Sequence, residues 1–186
     1  MQLLLYTRVF SYGKAVYAPD GHWPDVYAKV FEIIRSFAQH GVTEFISGGA
    51  LGFDQVAARA VIGVEEIGHP VKLTMALPFP GFESKWIPKS KREFAELELR
   101  ANKTLYVCDA GYAPWKMQRR NEWMVNESTI VIALYGPDKT GGTLNCIHYA
   151  MTLFRPIVKI HPITQVTTSM VWETISKEWK EVLFKL

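Results

Sequence analysis

The chain has 186 residues, 48% of them hydrophobic and 21% charged, with a formal net charge of +3 at pH 7. That length holds a sizeable core and the balance is that of a globular protein, so residues 1–186 read as a single domain. The small charge tolerates an anionic ligand without demanding nucleic acid, the widely separated Cys108 and Cys146 suggest neither a disulfide framework nor a structural zinc site, and no stretch approaches the ~18 apolar residues that cross a bilayer.

Leu3-Leu4-Leu5-Tyr6 predicts a first buried strand. Pro24 is placed to open a helix, and Val26, Val30, Ile33, Ile34 and Phe37 follow at helical spacing until Gly41 ends it. Residues 43–46 predict a second strand, and Phe53, Val56, Ala57, Ala60, Val61 and Val64 mark the helix after it. A third strand over 71–77 runs into Pro78-Phe79-Pro80-Gly81-Phe82, which can only be a loop. A charged helix over 89–101, a short strand over 104–107 and a helix over 117–126 follow. Then come a strand over 129–135 and a helix over 144–154 that turns Leu144, Ile147, Met151 and Phe154 to the core. A sixth strand over 157–160 precedes a last helix over 169–184. Its apolar stripe of Trp172, Ile175, Trp179, Val182 and Leu186 would serve a homo-oligomer interface or pack on its own sheet. Strands alternating with helices imply an α/β, Rossmann-like fold: a mainly parallel sheet with helices on both faces. Ligands of such sheets collect outside the carboxyl ends of the strands, at a topological switch point.

Two glycine pairs stand at that edge, Gly48-Gly49 after the second strand and Gly141-Gly142 after the fifth. A strand that ends in glycines and then starts a helix makes a phosphate seat. The backbone can approach the ligand closely, and the first-turn N–H groups point at it. Two seats on one edge point to a ligand with a phosphate or phosphoribosyl group.

The segment Ser47-Gly48-Gly49-Ala50-Leu51-Gly52-Phe53-Asp54-Gln55-Val56-Ala57 resembles the first signature of the SLOG superfamily, the group named for Smf/DprA and LOG proteins. Arg120-Asn121-Glu122-Trp123-Met124-Val125, followed by Gly141-Gly142-Thr143, resembles the second signature. The spacing, the Pro78-Phe79 loop and Trp86 are most similar to the YpsA-like branch. The resemblance implies a Rossmann-like fold and a nucleotide-related ligand. It also places Ser47, Gly48, Gly49, Gly52, Arg120, Asn121, Gly141, Gly142 and Thr143 at the ligand. Two departures stand out. YpsA-like proteins usually carry a glycine in the turn after the first strand, which Tyr6-Thr7-Arg8-Val9 lacks, although Arg8 can still reach a phosphate. LOG enzymes, which hydrolyse the N-glycosidic bond of nucleoside monophosphates, carry a glutamate three residues after the threonine, where this chain has Cys146 beside Asn145.

Asp54 near the start of its helix either complements the dipole or binds ribose hydroxyls. Arg120 is the phosphate ligand the motif selects over Arg119, because guanidinium pairs bidentately with phosphate. Phe79, Phe82 and Trp86 either plug a loop or offer a ring to a base. Lys85, Lys89, Lys91 and Arg92 make a basic run, a solvated face or a nucleic-acid contact. The five histidines show no metal-ligand spacing, and no G-x-S-x-G elbow or Walker lysine is present.

These readings converge on a binder of a nucleotide or nucleotide-derived signal, ADP-ribose-like or a nucleoside phosphate, acting as sensor, adaptor or sponge. Cleavage of an N-glycosidic bond needs a carboxylate, and a thiol is a poor substitute, so no catalytic residue, cofactor or metal is assigned. A LOG-type N-glycosidase requires Asp54, Asp138 or Glu122 to replace the missing glutamate, and a DprA-type nucleic-acid binder ranks behind a small-molecule one. With no basic segment ahead of a long apolar run and no membrane partner, the expected place is the cytoplasm.

Overall fold

The computed structural model of the chain describes residues 2–6, 23–135 and 141–184, the first of these by its backbone. The elements are β1 (Gln2–Tyr6), α1 (Trp23–Gln39), β2 (Glu44–Ser47), α2 (Phe53–Glu66), β3 (Lys72–Leu77), α3 (Pro88–Arg100), β4 (Lys103–Tyr106), α4 (Pro114–Asn126), β5 (Ile130–Leu134), α5 (Gly142–Thr152), β6 (Ile157–Ile160), β7 (Thr167–Glu173) and β8 (Glu178–Leu183). They form one eight-stranded sheet in the order β4-β3-β2-β1-β5-β6-β7-β8. The first six strands are parallel, and β7 and β8 are antiparallel.

Strand residues bury alternately on the two faces, so the parallel strands read as unbroken apolar runs. Phe45, Leu73, Met75, Leu77 and Ile132 cluster with the buried stripe of α1 (Val26, Val30, Ile33, Ile34) and with α2 and α3. Each such aliphatic side chain contributes roughly 1.5–3 kcal/mol on burial. Ile46, Ala76, Val131 and Ala133 cluster on the other face with α4 and α5. Proline at the first position starts both α3 and α4, where its missing N–H costs nothing. The buried face of α5 is Thr143, Cys146, Ile147 and Ala150, rotated from the expected Leu144, Ile147, Met151 and Phe154. Cys146 is at its centre, and Phe154 lies past the helix end, exposed, with its ring 5.0 Å from Trp172.

The last predicted helix is a β-hairpin. Thr167–Glu173 and Glu178–Leu183 pair antiparallel, with Trp172 opposite Trp179 at a ring separation of 5.9 Å. The run Thr-Thr-Ser-Met-Val-Trp is β-branched and aromatic, which suits a pleated surface, and it extends the sheet from β6. The supposed interface stripe is thereby dispersed. Ile175 sits in the turn at 94% exposure, the two tryptophans pair with each other, and Leu186 lies outside the described residues.

The chain runs from β1 outward to β4, then returns over the sheet to β5 on the far side of β1. The switch point therefore lies between β1 and β5. The connections that follow β1 and β5, with Arg8 and residues 136–140, are outside the described residues.

Candidate functional site

The loop from β2 into α2 is laced by its own side chains. Ser47 Oγ donates to the carbonyl of Asp54 at 2.9 Å and accepts from the Gly49 N–H at 3.3 Å. Gln55 Nε2 donates to the Gly49 carbonyl at 3.2 Å, and Asp54 Oδ2 accepts the Ala50 N–H at 3.1 Å. Gly49 has φ +69°, and a Cβ on it would stand 2.9 Å from both Leu77 Cδ2 and Met75 Cε. Gly52, at φ 99°, is the N-cap of α2. Side chains at 49 and 52 would have to enter the left-handed region, which only glycine does cheaply.

Gly48 is glycine for another reason. Arg120 Nη1 donates to its carbonyl and stands 3.5 Å from Asp54 Oδ2. A Cβ on Gly48 would collide with that guanidinium and lie 2.8 Å from Asp54 Oδ2. Arg120 is 1% exposed, whereas Arg119 faces solvent. Asp54, expected at ribose hydroxyls, is buried and holds Arg120 and the Ala50 N–H instead. The pair binds the glycine loop to α4. Breaking a buried pair of this kind costs about 3–5 kcal/mol, because it strands a charge.

Beside this pair opens a cleft of about 540 Å³. Ala50 and Leu51 border it from the glycine loop, and Pro114, Met117 and Arg120 line it from α4. Phe79, Phe82 and Trp86 from the loop after β3 and Tyr112 from the loop after β4 form an aromatic wall. Phe79 and Phe82 are buried, 6.4 Å apart and edge to face, which fits a loop plug. Trp86 is half-buried against Phe82 and Phe94, and Tyr112 is exposed with its ring 6.1 Å from Phe79. The Lys85 ammonium stands 5.7 Å from the Tyr112 ring centre.

The structure therefore brings Gly48, Gly49, Asp54 and Arg120 together and sets Phe79 and Trp86 in the adjoining cleft. Ser47 and Gly52 shape the loop, and Asn121 is buried next to Arg120 on α4. Gly141, Gly142 and Thr143 open α5, with Gly141 as N-cap at φ 109°, and are not among the residues lining the cleft. Thr143 Oγ1 and Arg120 Nε are buried without a hydrogen-bond partner among the described residues. Sequence reasoning passed over Leu51, Tyr112, Lys116 and Met117. Lys116 had a readable signal, a cation in the first turn of a helix opened by proline, where the dipole opposes it.

A doubly wound parallel sheet with a glycine loop at a strand's carboxyl end defines a Rossmann-like protein. The model of the YspA SLOG family matches residues 26–170, and the chain belongs to that family. It is 30% identical over 131 residues to the uncharacterized SPbeta prophage-derived protein YoqJ of Bacillus subtilis (strain 168), covering 63% of this chain and 76% of that one. It is 29% identical over 115 residues to the UPF0398 protein BH1768 of Halalkalibacterium halodurans, covering 61% of each. Two solved structures share the fold at 17% identity. DNA processing protein A from Helicobacter pylori, described for its single-stranded DNA binding mode, has a TM-score of 0.55 and covers 87% of this chain and 65% of its own. DNA processing protein A (DprA) from Streptococcus pneumoniae has a TM-score of 0.58, covering 86% and 50%. The chain thus spans about three-fifths of the UPF0398 relative and half of the pneumococcal protein. Among the described residues no helix is long and apolar enough to cross a membrane.

Proposed function

We propose that this protein binds a nucleotide or nucleotide-derived ligand with its base in the aromatic cleft and its phosphate toward Ala50, Leu51 and the amino end of α2. One observation carries this reading: the cleft joins an aromatic wall to the glycine loop that leads into α2, with the buried Arg120 among its lining residues. Trp86 and Tyr112 supply rings for a base. The Lys85 ammonium, on the cleft lining, supplies attraction for an anion. The ligand class is an ADP-ribose-like molecule or a nucleoside phosphate, and Arg120 contributes by shaping the loop that meets it. The protein acts as a binder rather than an N-glycosidase. Cys146 is 1% exposed in the apolar core, Asp54 is committed to Arg120, Glu122 accepts a hydrogen bond from Gln118 at 3.0 Å, and Asp138 lies outside the described residues. The cysteines form no disulfide, in keeping with a cytoplasmic setting.

Calorimetric titration with AMP and ADP-ribose tests the reading. Tyr112 is 66% exposed, so its removal spares the core. Tyr112→Ala should weaken binding by about 1–3 kcal/mol, the worth of one base stacked on an aromatic ring. Failure of every nucleotide to bind, or binding indifferent to both Tyr112→Ala and Trp86→Ala, refutes it. Single-stranded nucleic acid is the second reading, favoured by the exposed Lys85, Lys89, Lys91 and Arg92 around the same loop and by the likeness to a single-strand-binding fold. It requires an oligothymidylate affinity that falls steeply with salt.

A further inference from the structure

Lys116 sits where its helix disfavours it. It occupies the first turn of α4, two residues after Pro114, where the positive end of the dipole repels a cation. It is also only 9% exposed. What offsets this is a cage. An ammonium has three protons, and here each meets a carbonyl: Asp109 at 2.7 Å, Ala110 at 3.0 Å and Gly111 at 2.8 Å. Gly111 at φ +90° bends the loop so that three consecutive carbonyls converge. The ring centres of Phe79 and Trp115 lie 5.6 and 5.7 Å from the same nitrogen. Among the described residues, the groups that meet Nζ are three neutral carbonyls and two ring faces. Neutral carbonyl oxygens and ring faces suit a weakly hydrated monovalent cation.

We propose that Lys116 is a built-in cation: its ammonium fills a monovalent-cation site made by the carbonyls of Asp109, Ala110 and Gly111 and the rings of Phe79 and Trp115. By filling it, Lys116 holds Tyr112, the next residue along, on the rim of the cleft. A side chain without the ammonium leaves a site that potassium or ammonium ion occupies, with water completing the coordination. The cage stands on its own geometry, and only its effect on ligand affinity rests on the base-stacking reading.

The test compares wild type with Lys116→Met in potassium chloride, ammonium chloride and tetramethylammonium chloride at equal ionic strength, the last cation being too large for the cage. Amide exchange at residues 110–113 and the Tm are read in each. Wild type should be indifferent to the cation. Lys116→Met in tetramethylammonium should exchange these amides roughly tenfold faster, with a lower Tm, the scale of losing one or more charge-assisted hydrogen bonds. Potassium or ammonium should restore both in a saturable way. Lys116→Arg keeps the charge, but its planar fork cannot aim at three consecutive carbonyls, and it should loosen the loop in every salt. If Lys116→Met fails to fold in tetramethylammonium, folding on addition of potassium is the expected result and failure to fold there refutes the cage. Unchanged amide exchange, or loosening that no small cation reverses, also overturns the proposal. AMP titrations run alongside separate the two readings. An AMP affinity lost and regained with the cation ties the cage to the cleft, whereas a wild type that binds no AMP sinks the nucleotide reading and leaves the cage to the exchange data.

Discussion

Arg120 and Arg119 are neighbours in sequence with opposite fates, and the difference is measurable. Arg120 is inside, against the Gly48 carbonyl and Asp54, and Arg119 is outside. Arg120→Ala leaves Asp54 buried without its cation, so denaturant unfolding should show a loss of about 3–5 kcal/mol. Arg119→Ala should stay within about 0.5 kcal/mol. Comparable losses would mean that the buried pair does not hold the loop to α4. Cys146 invites a second substitution. Glutamate at this position is what a LOG-type hydrolase carries, yet here the side chain is buried in the apolar cluster that includes Ile147, Ala150, Val131 and Ala133. Cys146→Glu should therefore create no hydrolysis and should destabilise the fold by several kcal/mol (on the order of 3), since a carboxylate would be driven into an apolar core. A variant as stable as the parent, seen by thermal unfolding, would place position 146 at a solvated site. At this scale the motif singled out Arg120 over Arg119, but as a phosphate ligand, whereas the structure buries it against the Gly48 carbonyl and Asp54. The sequence hinted at Lys116 only through a cation in the first turn of a proline-opened helix, and it was silent on Tyr112, whose ring meets Phe79 from a different loop.

The hairpin β7–β8 is the element that periodicity misread. Trp172, Ile175, Trp179 and Val182 recur at three- and four-residue intervals, as on a helix face. In the structure the interval from Trp172 to Trp179 spans a turn, and the two rings meet across a strand pair. Trp172→Ala and Trp179→Ala should accordingly be non-additive by about 0.5–1.5 kcal/mol in a double-mutant cycle on unfolding free energy. Simple additivity would contradict the facing pair. The same hairpin carries a pH-sensitive tie. The Lys159 ammonium, 2.7 Å from Glu181 Oε1, and the Thr168 hydroxyl at 2.6 Å hold the Glu181 carboxyl below its ordinary value of 4.5. A depressed folded-state value stabilises above the unfolded one, and the contribution is lost as pH falls through the folded value. Glu181 is about half exposed, so solvent screening limits the contribution to about 1 kcal/mol or less. Glu181→Gln should remove that part of the acid sensitivity below pH 4.5 and leave the rest, as read from Tm against pH. Glu98 lies on α3 with the opposite sign. Burial first and Glu83 second raise its value above 4.5, so it costs stability at neutral pH, and Glu98→Gln should raise the Tm there, with the gain fading as pH falls through the raised value.

For the whole molecule, the reading as a binder sets an expectation about turnover. Incubation with AMP should release no adenine, because the carboxylates among the described residues near the candidate site are either paired inward, as Asp54 is, or set along α4, as Glu122 is. Adenine release that vanished in Asp54→Asn would make the protein an enzyme. The parallel layers were readable in advance because β-strands buried on both faces must be continuous apolar runs and the helices between them must carry a 3.6-residue stripe. Those constraints are local, so Leu3-Leu4-Leu5, Phe45-Ile46 and Val131-Ile132-Ala133 declare themselves one segment at a time. The glycine loop of the first SLOG signature and the family were equally legible, since backbone conformation at Gly49 and Gly52 is a property of a few consecutive residues. The order of strands across the sheet, the collision that keeps Gly48 a glycine, the inward turn of Asp54 and the cleft between three loops were settled only by tertiary structure. Each depends on side chains tens of residues apart arriving at one place, and no local rule of propensity or spacing carries that distance.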